Sequence, residues 1–133
     1  MAMPERAEAE KQMQDLTKRY EDEYVKLQED FQKKYVEFQS MGDTIPEAIK
    51  IRRSEEIQTM YQRIESFRQI ADQDLAKKQE EFMIPIQQKL MDAINAVGSE
   101  NGFTYIFDAN AAYYRGVGNE DVTPLVKAKL GIQ

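Results

Sequence analysis

Two short stretches of this 133-residue chain hold side chains of the types a reactive site uses. Asp108-Ala109-Asn110 sets a carboxylate beside an amide, which could serve metal binding or acid/base chemistry if a second acid stood close by. None does, and an isolated Asp before Ala-Asn reads as a turn residue. Gly116-Val117-Gly118 offers mobile backbone but has neither the spacing nor the Lys of a phosphate loop, so it reads as a surface loop. His and Cys are absent altogether. That removes thiol nucleophiles, Cys/His zinc sites, disulfides and the usual general base together. No catalytic, cofactor-binding or metal-ligating residue is assigned. The expectation is a protein that binds other proteins and is not an enzyme.

Composition points the same way. Charged residues make up 32% and mean hydropathy is −0.70, yet 41% of the residues are hydrophobic. That is too apolar for a disordered chain and too polar for a thick globular core; a thin helical protein has this balance. The net charge of −6 and a pI near 4.8, with bases interleaved among acids, exclude nucleic acid as the expected partner. No stretch approaches the ~18–20 apolar residues of a membrane span. Met1-Ala2-Met3-Pro4 runs straight into charged sequence, so no signal peptide is expected in the chain as given.

The elements that must position any binding surface are helices. Apolar residues fall at Met13, Leu16, Tyr20, Tyr24, Leu27, Phe31, Tyr35 and Phe38, an eleven-residue repeat with ~3.67 residues per turn. The spacing predicts a helix over Pro4–Gln39. Ser40-Met41-Gly42-Asp43 then stops it, with Gly42 in the left-handed conformation and Thr44 and Glu47 forming a capping box for the next helix. That second helix, expected over Ile45–Val97, carries Ile49, Ile57, Met60, Ile64, Phe67, Ala71, Leu75, Phe82, Ile86, Ala93 and Val97. Met60, Ala71, Phe82 and Ala93 repeat the same period, so the two helices should pair as an antiparallel hairpin. Lys78 interrupts the stripe, Lys89 does so unless Leu90 substitutes, and Pro85 should bend the helix.

Beyond Gly98 the chain changes character. Phe103-Thr104-Tyr105-Ile106-Phe107 predicts a β-strand, and Ala111 to Tyr114 allows a second. Thr123 as N-cap and Pro124 at the first position predict a last helix ending at Gly131. The fold class is therefore mainly α: a long antiparallel helical hairpin over 1–97 with its turn at 40–44, and a small α/β end domain over 98–133. Two short strands alone are marginal, so the end domain is expected to complete its sheet by oligomerisation. Phe103, Tyr105, Ile106, Phe107, Val122 and Leu125 are the expected interface.

Val25 and Val36 lie eleven apart but one residue off the main stripe, and Met41 and Ile45 sit at the turn. These four are the candidate contacts for a bound protein; hairpin core or incidental exposure is the alternative for each.

The run from Phe103 through Asp108-Ala109-Asn110 to Tyr113-Tyr114, followed by Glu120-Asp121-Val122-Thr123 and a short helix, resembles the Skp/OmpH family of periplasmic chaperones. Phe82-Met83-Ile84-Pro85-Ile86 and Lys89 to Gly98 resemble the segment entering that family's body domain. The resemblance implies a periplasmic homotrimer whose coiled-coil tentacles hold unfolded outer-membrane or exported proteins without ATP and without any cofactor. The family begins with a hydrophobic strand that this chain is expected to lack. Its best-known members are basic whereas this chain is acidic, so lipopolysaccharide or membrane binding is not carried over. The competing expectation is a structural coiled-coil spacer without clients. It differs in one respect: it needs no apolar residue left exposed once the hairpin has formed.

Overall fold

The eleven-residue spacing produces two helices in the computed structural model, α1 (Pro4–Ser40) and α2 (Glu47–Asn101), and a third, α3 (Thr123–Lys129), follows near the C-terminus. Residues 3–132 are described; Met1 and Ala2 at the start of the expected hairpin, and Gln133 at the end of the expected end domain, lie outside them. Contacts group the chain into two units. One joins the residues up to Lys11 with those from Glu80 onward, and the other spans Gln12–Gln79. The boundary expected at 97/98 thus falls inside a unit that already begins at Glu80.

Within Gln12–Gln79 the helices pack antiparallel. Tyr20 meets Phe67 edge-on at 5.9 Å between ring centroids, and Phe31 meets Tyr61 at 6.3 Å. The Tyr20 hydroxyl donates to Asp74 at 2.6 Å. Ile64 and Ala71 are buried, whereas the α1 stripe from Met13 to Phe31 is only half-buried. Two helices alone cover one side of each other, so a stripe this narrow is all they can hide.

The turn differs from expectation. Gly42 is not left-handed; positive φ occurs only at Gly102 and Gly131 among the described residues. α1 instead ends where Ser40 Oγ donates to the Glu37 carbonyl (2.8 Å) and the Met41 amide to that of Phe38 (3.2 Å). The capping box is displaced too. The Pro46 carbonyl receives the Ile49 and Lys50 amides, which leaves Thr44 too early in the chain to cap.

In the other unit α2 runs on through Pro85 and past Gly98 to Asn101. It ends at Gly102 (φ 70°), where the Phe103 amide returns to the Gly98 carbonyl (3.0 Å). Ala93, Val97 and Val126 form the core, with Leu90, Ile94, Phe103, Ile106, Val122 and Leu130 packed on it. Leu90 fills the place that Lys89 vacates, and Lys89 turns to Glu5. Thr123 is not the cap of α3: the Asp121 carboxylate accepts the Thr123 amide at 3.0 Å. Gly131 (φ 72°) closes that helix with paired bonds from Gly131 to Ala128 and Ile132 to Lys127.

The α/β expectation is not met within this chain. Among the described residues there is no strand. Residues 105–108 carry no regular structure, and Ala109–Ala111 form a 3-10 turn capped by the Asp108 side chain, which takes the start of the second expected strand. A strand exists only when another backbone pairs with it, and no segment here supplies one.

Candidate functional site

The helical surface in Gln12–Gln79 is the first candidate. Val25 and Val36 stand 49% and 51% exposed on α1, three turns apart on nearly the same face. Met41 and Ile45 are placed differently from expectation: both are half-buried. Met41 closes the end of the helical pair with Phe38 and Ile57, among Lys34, Glu37, Arg53 and Glu56. Val25 lines an open groove with Tyr24, Gln28 and Phe31 of α1 and Tyr61, Ile64 and Glu65 of α2. It is open to solvent along its length.

Tyr61 (56% exposed) and Ile70 (63%) were missed in reading the sequence. Their signal was present. Tyr61 follows Met60 and Ile70 precedes Ala71, each one residue off the α2 stripe, as Val25 and Val36 are on α1. Apolar side chains so placed lie at the edge of a two-helix seam: Tyr61 touches Phe31 across it yet stays 56% exposed.

The second candidate is the segment after α2. Of its six expected interface residues, Phe103, Ile106 and Val122 pack on the chain's own core, whereas Tyr105 (75% exposed), Phe107 (76%) and Leu125 (39%) face solvent. Tyr105 and Phe107 stack on each other at 5.7 Å. Tyr113, Tyr114 and Val117 are more exposed still and had not been singled out. Among the described residues, the backbone of 104–107 makes no backbone–backbone hydrogen bond. Exposed aromatics on a backbone with free hydrogen-bonding groups offer a template for a sheet partner.

Glu5, Asp121 and Tyr20 have shifted titrations. The hydrogen bond from Lys89 holds the Glu5 carboxyl below its usual range. The bond from the Thr123 hydroxyl, then that from its amide, does the same for Asp121. Tyr20 is pushed up because its hydroxyl donates to Asp74. All three fit roles in holding elements together. Among the described residues, no three carboxylates cluster to hold a metal, and no helix is long and apolar enough to cross a membrane.

Residues 1–130 match the protein family described as outer membrane protein (OmpH-like). The chain is also similar to the chaperone protein Skp of Pectobacterium atrosepticum, at 25% identity over 112 residues, covering 84% of this chain and 68% of that protein. No solved structure gives a significant match.

Proposed function

Because the chain belongs to the OmpH-like outer membrane protein family, we propose that it is an ATP-independent holdase that keeps unfolded outer-membrane or exported proteins from aggregating in the periplasm. One observation carries the reading: apolar surface remains on the helices after they have packed. Val25, Val36, Tyr61 and Ile70 keep 49–63% of their area in solvent. A spacer whose task ends with joining two helices has no use for them. The similarity to a protein named as a chaperone supports the same choice.

Binding of this kind needs no chemistry from the protein. Each exposed side chain contributes about 1 kcal/mol or less after ordering costs, so affinity comes from many contacts acting together. The same weakness lets a client leave as its own folding buries the residues that were held. The surrounding charge, net −6 over the chain, keeps the loaded complex soluble.

The acting species is a homotrimer in which 98–133 serves as the oligomerisation segment. Its support is the unpaired backbone of 104–107 with Tyr105 and Phe107 exposed upon it. Chains that pair there complete the sheet that one chain cannot form alone.

The test is light scattering of a denatured β-barrel protein diluted with and without this chain. Suppressed scattering at a defined stoichiometry is expected. Scattering unchanged at excess chain would leave the spacer as the better reading.

A further inference from the structure

The groove between α1 and α2 has one-sided chemistry. Tyr24, Val25 and Phe31 form its wall on α1, and Tyr61 forms it on α2. Two charged side chains line it, Glu29 and Glu65; no Lys or Arg does. Lys26, Lys33 and Arg63 stand in the same stretches of α1 and α2 but do not line the groove. Among the described residues neither carboxylate is held in an ion pair within 4 Å. An apolar trough therefore carries two carboxylates and no cation in its lining, with Lys26, Lys33 and Arg68 within a helical turn of them but outside it.

We propose that this groove recognises client segments in which bulky apolar residues are interspersed with Lys or Arg. The inference rests on the holdase reading and gives its clients a chemistry. The apolar wall takes the aliphatic or aromatic side chains. Glu29 and Glu65 pair with the cations beside them, and the Tyr24 and Tyr61 rings that line the groove add cation–π attraction. Because the groove is open, the charges stay hydrated and each pair is weak, contributing a factor of roughly two to five in affinity. Their effect is to choose among apolar segments rather than to bind them, since a segment bearing acids at the same positions meets repulsion.

The test uses the full chain and three fluorescently labelled peptides that share their Leu and Tyr positions and carry Lys, Gln or Glu between them. Anisotropy titration at low ionic strength should place the Lys peptide about tenfold tighter than the Glu peptide, with the Gln peptide between. Glu29→Gln combined with Glu65→Gln should erase the difference and leave the Gln peptide unchanged. Val25→Ser should weaken all three alike. In the parent chain the preference should shrink as salt is raised, a readout that needs no variant. Equal affinity for the Lys and Glu peptides overturns the inference, as does a preference that survives Glu29→Gln with Glu65→Gln or is indifferent to salt. Aggregation protection measured alongside separates the two readings. Protection without charge preference removes the groove's role and keeps the holdase; charge preference without protection does the reverse.

Discussion

Serine in place of both Val25 and Val36 should remove client contact while leaving the helices intact. Each valine is about half exposed, 49% and 51%. Burying a whole Val side chain is worth ~1.5 kcal/mol, so the half a client can still cover contributes about 0.7 kcal/mol. Two sites together give about 1.5 kcal/mol, close to tenfold in Kd. The fold loses little, because Ser and Val have similar helix propensities and a half-exposed hydroxyl keeps its water. Met41→Ser and Ile45→Ser behave otherwise. Both residues are half-buried, and Met41 packs beside Phe38 and Ile57, so removing them weakens the end of the helical pair as well as any client contact. The assay is the concentration of chain needed to suppress aggregation of a denatured β-barrel protein, with circular dichroism as the folding control. A Val25→Ser, Val36→Ser variant that folds normally and protects at the parent's stoichiometry would refute the reasoning, because the exposed valines would then be incidental.

Val126→Ala, at a site 2% exposed, should lower stability by about 1–2.5 kcal/mol through lost burial and a residual cavity, whereas Leu125→Ala, 39% exposed, should cost clearly less; thermal unfolding followed by dichroism compares them. Tyr20 gives a pH prediction. Its folded pKa lies above 10.0 because its hydroxyl donates to Asp74, so the stability it contributes is fully present below pH 10.0 and is lost as pH rises through the folded value. Urea midpoints should fall across that window in the parent and fall less in Tyr20→Phe; equal alkaline losses would remove the hydrogen bond as the cause. Finally, Tyr105→Ser with Phe107→Ser should shift the chain toward monomer in sedimentation without loss of helicity, since neither side chain is buried in its own chain. Unchanged association would mean that the contact between chains lies elsewhere.

The helices were legible because everything that specifies them is local. Steps of three and four between Met13 and Phe38 put one stripe on one face, and the structure half-buries that stripe as far as Phe31. The same spacing marked Ala71 and Ala93 as inward, and both are buried. Helix ends were read less well, although the residue types were right. Gly42 and Thr44 could each have capped, but α1 closes at Ser40, the first turn of α2 bonds to the Pro46 carbonyl, and α3 starts from Val122 with no side-chain cap. Several polar or small residues compete within a few positions, and the small energy differences among them depend on how the neighbouring helix approaches.

The candidate surfaces divide in the same way. That Val25 and Val36 lie off the stripe follows from counting residues. That Tyr61 joins Val25 in one groove depends on which turn of α2 stands beside which turn of α1. Phe103 to Phe107 has the composition of a strand, but composition gives only a preference for extended backbone. Pairing requires hydrogen-bond partners from elsewhere, and the described residues provide none. Which side chains of that run face inward was likewise decided by packing: Phe103 and Ile106 found Ala93, Val97 and Val126, and left Tyr105 and Phe107 in solvent. Periodicity along one chain determines which face of a helix is apolar; only the meeting of distant segments determines what that face touches.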